Sequence, residues 1–203
     1  VDETGFTVLV CPGHPSAKTL PGTRVDDFGP LGHGFNVSGI ARLLLVADAE
    51  HWPLLKPLLD AAPAVAVVIE ATTRLQLPSI TEFPASVELL LVTRDGSAGY
   101  LGPLDEDGDA PQGLERAAPL LRELLTWAER ICFAADRERY KELADFVEKT
   151  RFNVLPGFAQ AIIQVPMPCG VGACELCRVP TRNGEKRACT DGPVFNLSDL
   201  AVR

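Results

Sequence analysis

The chain has 203 residues, is 46% hydrophobic and carries a net charge of −8. This is enough apolar material for one core with room for a small extra module, and the acidic balance argues against a nucleic-acid surface, which shows a basic face. The longest apolar runs, at 43–47 and 64–69, are only strand-length, so no membrane span is expected. The first residues show no signal peptide and no initiator Met, which reads as a fragment or a processed form in a cytoplasmic setting.

Residues 1–38 have little regular pattern: a candidate strand at 6–10, a turn beginning at Cys11, and a Gly-rich loop at 29–35. From there the texture alternates. A buried-strand run at 42–47 is followed by Leu54, Leu55, Leu58 and Leu59 at helical spacing, which predicts a helix. Apolar runs at 64–69 and 87–92 predict a second and a third strand, the latter ending in a loop over 93–100. Residues 105–113 are acidic and Gly/Pro-rich and predict a loop, with the acidic stretch at 105–109 read as solvated.

A helix is predicted over 119–129, since Pro119 is tolerated in a first turn, and a fourth strand over 131–134. Asp136 is expected to cap a helix that buries Tyr140, Leu143, Ala144 and Val147 on one face. A fifth strand is predicted over 159–165. Strands that are apolar on both faces and alternate with helices imply an α/β fold with a parallel sheet. The expected division is a remnant of a β-barrel or linker over 1–38, the α/β domain over 39–158 and a small module over 159–203.

That module holds the chemistry. Cys169, Cys174 and Cys177 are spaced Cys-x4-Cys-x2-Cys, and Cys189 follows after eleven residues. The first part is the plant-type [2Fe–2S] spacing with a distant fourth thiolate. Three thiolates from one short loop require a tight curl, for which Gly170 and Gly172 supply positive φ and close backbone approach to sulfur. Asn183-Gly184 predicts a type I′ hairpin turn that returns Cys189 to Cys177. A four-cysteine structural zinc is the alternative, although zinc sites favour paired Cys-x2-Cys knuckles and only one such pair is present. Cys11 and Cys132 read as small buried hydrophobes, and His14, His33 and His51 as exposed loop residues. Arg178, Arg182, Lys186 and Arg187, in or beside the hairpin, are candidates to steer an acidic partner or to offset the charge of a cluster.

The stretch Met-Pro-Cys-Gly-Val-Gly-Ala-Cys-Glu-Leu-Cys at 167–177, with Arg-Ala-Cys-Thr-Asp-Gly-Pro-Val-Phe at 187–195, closely resembles the cluster module of the electron-transfer subunits of bacterial dihydroorotate dehydrogenase, in the ferredoxin reductase superfamily. The loops at 29–35 and 93–100 resemble that family's barrel junction and the loop after its third strand. The resemblance implies an FAD-binding barrel, a nucleotide-binding α/β domain of ferredoxin reductase type and a C-terminal [2Fe–2S] module. It also implies electron flow between NADH, FAD, the cluster and a partner flavoprotein.

Three departures from the family bear on this. Only 38 residues precede the α/β domain, where a flavin barrel needs on the order of 100, so FAD is not expected on this chain alone. The turn after the first strand reads Val-Ala-Asp-Ala-Glu at 46–50, with no glycine and with Asp48 where a phosphate should sit. The family's Cys-Gly-Pro after the fourth strand is replaced by Ala134, Ala135 and Asp136. NAD(P) is therefore not expected either. The reading that results is an iron–sulfur electron-transfer protein serving a partner flavoprotein, with self-association expected in the partner's absence. Two alternatives stand beside it: a piece of an FAD- and NAD-dependent reductase subunit, or an interaction protein with a structural metal.

Overall fold

The computed structural model describes residues 15–24, 28–99, 118–151 and 154–200. The chain divides into two compact units, 1–30 and 31–203. Among the described residues of the first unit the regular element is a 3-10 turn, Pro15–Lys18. The candidate strand at 6–10, Cys11, His14 and the loop over 105–113 lie outside the described residues.

The second unit is built on a six-stranded sheet. Its strands are β1 (Arg42–Asp48), β2 (Ala64–Ala71), β3 (Glu88–Thr93), β4 (Arg130–Ala134), β5 (Ala159–Ile162) and β8 (Val194–Asn196), in the order β3-β2-β1-β4-β5-β8. The first five are parallel and β8 pairs antiparallel with β5, so the mostly parallel α/β fold expected from the sequence is what forms. β1 lies between β2 and β4 and is buried on both faces, which is why it reads as an uninterrupted apolar run. Its alternate residues serve different cores: Leu44 and Val46 face one side, Leu43, Leu45 and Ala47 the other.

The first face is covered by two helices, α1 (Ala118–Trp127) and α2 (Arg139–Thr150). The four residues expected on the inner face of α2 are all buried there. Tyr140 accepts from the Ala135 N–H and donates to the Ile162 carbonyl at 2.5 Å, tying α2 to the ends of β4 and β5.

The opposite face departs from expectation. The predicted helix after β1 is instead two 3-10 turns, Trp52–Leu54 and Lys56–Leu58. The helical spacing correctly marks Leu55 and Leu59 as buried. Pro53 and Pro57, however, each remove an amide donor, and two such losses four residues apart leave no continuous i→i−4 ladder. Leu55 N–H closes onto Trp52 and Leu59 N–H onto Lys56 as shorter 3-10 bonds. Cys132 is buried on this face, as expected, and burial pushes its thiol upward in pKa.

The C-terminal segment is a hairpin of β6 (Arg178–Thr181) and β7 (Gly184–Arg187), then short helices α3 (Ala188–Asp191) and α4 (Leu197–Leu200) on either side of β8. Val179, Ala188, Phe195, Leu197 and Leu200 belong to the same core as α1 and α2. No helix among the described residues is long and apolar enough to cross a membrane.

Candidate metal centre

The loop 168–177 curls as its glycines require. Gly170 and Gly172 have φ of 63° and 75°, and Glu175 joins them at 58°. Glu175 is the one non-glycine with positive φ among the described residues, and the sequence gives no sign of it. A left-handed glutamate costs about 1–2 kcal/mol, and its carboxylate is held by two guanidiniums, Arg178 and Arg187.

The hairpin returns the fourth cysteine, but its turn sits one residue earlier than expected. Thr181 pairs with Gly184, so Arg182 and Asn183 form the turn. Only Gly184 takes positive φ, at 103°. A type I′ turn needs positive φ at both central residues, so that expectation is overturned; a left-handed glycine following the turn matches the three-residue hairpin pattern. The consequence for the site is unchanged. The Ala188 N–H donates to the Cys177 carbonyl at 2.9 Å, and the Cys177 and Cys189 sulfurs lie 3.2 Å apart.

The four cysteines therefore stand as two couples. In the outer one, the Cys174 N–H points at the Cys169 sulfur at 3.5 Å, Cys174 is exposed and Cys169 half-buried. In the inner one, Cys177 and Cys189 are 0% and 2% exposed and lie in the main core. Backbone donors converge on the sulfurs. The N–H groups of Cys174 and Val171, then the Cys174 thiol and the Ala173 N–H, pull the Cys169 thiol down to about 6. The inner sulfurs are hydrogen-bonded to each other. The Cys189 N–H, then its thiol and the Ala188 N–H, hold Cys177 low, whereas Cys189 is pushed up by Cys177 and by burial despite the Gly172 N–H at its sulfur. Gly172 thus gives both a conformation and a donor, and Gly170 the conformation.

Among the described residues no three His, Cys, Asp or Glu side chains converge on one metal-ion position. A single zinc needs all four donors at about 2.3 Å from one point. Two cysteine couples on one loop and its returning hairpin are donors of the kind an iron–sulfur centre uses.

The basic residues near the hairpin are mostly neutralised. Arg178 pairs with Glu175 and, at 3.1 Å, Glu185; Arg187 pairs with Glu175 at 3.4 Å; Arg182 faces Glu148 at 3.7 Å. Lys186 alone of the four makes no ion pair among the described residues.

A second feature lies at the C-terminal ends of β1 and β4, where connections run away on opposite sides and open α/β sheets bind ligands. A cleft of about 430 Å³ opens there, lined by Asp48, Glu50, Glu70, Arg94 and Asp136 among others. Asp48 bridges its base. Its Oδ1 accepts from the His51 N–H at 2.9 Å and meets His51 Nδ1 at 2.5 Å, and its Oδ2 accepts from the Asp136 N–H at 3.2 Å. His51 is thus a half-buried partner of Asp48, not the exposed loop residue expected; His33 is exposed as expected. Asp136 does not cap α2 through its side chain either. It precedes the helix by a turn, and its carbonyl accepts from the Arg139 N–H. Glu70, at the end of β2, is buried between Arg94 Nε at 2.9 Å and Arg139 Nη1 at 2.5 Å.

A mostly parallel sheet of ferredoxin reductase type, ending in a four-cysteine loop fastened to its core, defines an iron–sulfur electron-transfer protein. Residues 166–201 match the iron–sulfur cluster binding domain of dihydroorotate dehydrogenase B. The electron transfer subunit of dihydroorotate dehydrogenase B (NAD(+)) from Geobacillus thermodenitrificans is 31% identical, over 90% of this chain and 67% of its own length. Its counterpart from Bacillus caldolyticus is 30% identical, over 92% and 68%. A Thermotoga maritima homolog of the subunit is 30% identical, over 91% and 61%. Among solved structures, a chain of the NADH-dependent reduced ferredoxin-NADP oxidoreductase superposes with a TM-score of 0.65 at 26% identity, covering 91% of this chain and 62% of that one. The chain belongs to the family of dihydroorotate dehydrogenase B electron transfer subunits, and it spans 61–68% of the length of the relatives named here.

Proposed function

We propose that Cys169, Cys174, Cys177 and Cys189 hold a [2Fe–2S] cluster and that the chain passes single electrons to or from a partner flavoprotein. The observation that carries this reading is the arrangement of the sulfurs as two couples, one at the solvent edge and one buried, with the Cys174 N–H at the Cys169 sulfur of the outer couple. The cluster, when bound, supplies one-electron redox chemistry. The chain's own part is to hold it. The N–H groups of Val171, Ala173 and Cys174 at one sulfur and of Gly172 at another offset negative charge, while the buried couple anchors the loop to the core.

The relatives are subunits of dihydroorotate dehydrogenase B, so the partner in this proposal is that enzyme's catalytic flavin subunit. The 203 residues by themselves are proposed to retain neither FAD nor NAD(P). For the nucleotide, the support is that Asp48 occupies the Asp136 N–H that a phosphate would use. Self-association without the partner, and a cytoplasmic setting, belong to the same proposal. The relatives' NAD(+) names favour a second reading, in which the cleft accepts a dinucleotide after Asp48 moves away. A potentiometric titration of the anaerobically purified chain tests the main reading. Reversible one-electron bleaching of its visible absorption is expected; a colourless protein with no reducible centre overturns it.

A further inference from the structure

Glu175 is the strained position of the cysteine loop. Its φ is 58°, a value that glycine or asparagine takes at lower cost, and it lies between Cys174 and Cys177 in the chain. A left-handed residue of this kind at a functional loop persists where its surroundings hold it. Here they are two guanidiniums. The Glu175 carboxylate pairs with Arg178, the first residue of β6, and at 3.4 Å with Arg187, the last residue of β7. One side chain of the loop therefore grips both strands of the hairpin that returns Cys189.

The register gives this grip a reason. Arg178 and Arg187 stand directly opposite each other in the hairpin, a like-charged pair that is unfavourable without a carboxylate beside it. Glu175 serves both. Arg178 has a second carboxylate, Glu185 at 3.1 Å, whereas Arg187 makes no other ion pair among the described residues. Arg187 also packs against the loop: a Cβ at Gly172 would stand 3.0 Å from its Cδ and 3.7 Å from its Nε. The clasp thus joins the turn after Cys169, the turn before Cys177 and the strand end before Cys189.

Resting on the electron-transfer reading above, we propose that Glu175 is a positioning residue whose carboxylate, clasped by Arg178 and Arg187, holds the outer cysteine couple in place against the inner one and masks the Arg187 charge. Its removal has two effects. The loop loses its tie to the hairpin, so the centre is released sooner. Arg187 loses its counterion, so positive charge beside the loop favours the reduced centre, which carries one more negative charge.

The test compares the full chain, with its metal centre, as Glu175→Gln and Glu175→Asn. The first keeps the length and removes the charge; the second suits positive φ and is too short to span both arginines. Loss of iron to bathophenanthroline under argon should be about fivefold faster or more in both. The midpoint potential of Glu175→Gln should rise by about three- to tenfold in the one-electron reduction equilibrium, where tenfold is 59 mV. In the metal-free chain, amide exchange over 168–177 should quicken in both variants and stay unchanged in β1 and β2. The melting temperature of Glu175→Asn should not fall, because relieved strain outweighs exposed ion pairs. Glu185→Gln, which leaves both Glu175 pairs in place, should match the wild type in iron loss and potential. Wild-type iron loss and potential in the Glu175 variants overturn the proposal. So does an equal change in Glu185→Gln, which assigns the effect to surface charge in general. A wild type with no reducible centre removes the electron-transfer reading, while unchanged amide exchange over 168–177 in the metal-free variants removes the clasp alone.

Discussion

Removing the Asp48 carboxylate should open the switch-point cleft to a dinucleotide. In the folded chain Oδ2 of Asp48 takes the Asp136 N–H at 3.2 Å and Oδ1 takes the His51 N–H at 2.9 Å. These backbone donors would otherwise face a phosphate. A phosphate oxygen competing for the Asp136 N–H would lie about 4 Å from the carboxylate, a repulsion of about 4 kcal/mol at the effective dielectric of a protein surface. That corresponds to about a thousandfold in affinity. The perturbations are Asp48→Asn, which keeps the shape and removes the charge, and Asp48→Gly, which also restores a turn that lets backbone approach the ligand. The glycine variant forfeits three hydrogen bonds at about 0.5–1.5 kcal/mol each, so its melting temperature should fall and must be measured alongside. NADH fluorescence titration, checked by calorimetry, is the assay. Saturable binding should appear in the variants, stronger in Asp48→Gly, and be absent from the wild type. Micromolar NADH binding by the wild type would refute the reasoning, as would a folded Asp48→Gly that gains nothing.

Other outcomes are expected. Cys169→Ser, Cys174→Ser, Cys177→Ser and Cys189→Ser should each lose or weaken the iron–sulfur absorption, whereas Cys132→Ser, in the opposite core, should retain it; an unaffected spectrum in any of the four contradicts the ligand set. In the metal-free protein the Cys169 thiolate should alkylate with a midpoint of about 6, ahead of buried Cys132, by mass spectrometry of iodoacetamide-treated samples. Since that pKa is depressed on folding, its stabilising contribution is complete above the ordinary thiol range and is lost as pH falls through about 6; a flat stability profile there contradicts it. Gly192→Ala should press a methyl against the edge of the Phe195 ring, 2.4 Å from two of its carbons, costing about 1–3 kcal/mol and lowering the melting temperature by several degrees in scanning calorimetry.

The parts legible in the sequence are those with local causes. The strands announce themselves because β1 and β2 are buried on both faces, and the cysteine loop because three of the four cysteines and both glycines lie within nine residues. Where sequence misled, a second local rule competed with the first. Leu54, Leu55, Leu58 and Leu59 follow helical spacing, but Pro53 and Pro57 deny the hydrogen bonds. Asn183-Gly184 signals a tight turn, but the register leaves only Gly184 left-handed. Where sequence was silent, the cause is long-range. The pairing of Arg182 with Glu148 and the antiparallel docking of β8 on β5 depend on the assembled fold. So does the reach of Asp48 to Asp136, which joins the carboxylate at the expected phosphate position and the expected helix cap into one bridged site.

The binuclear centre proposed on the two cysteine couples has a composition of its own. Iron and acid-labile sulfide analysis of anaerobically purified protein, with EPR of the dithionite-reduced sample, tests it most directly. The expected result is two irons and two sulfides per chain with a single-electron EPR signal that is lost on reoxidation. Stoichiometric zinc, no labile sulfide and a silent EPR spectrum would contradict it.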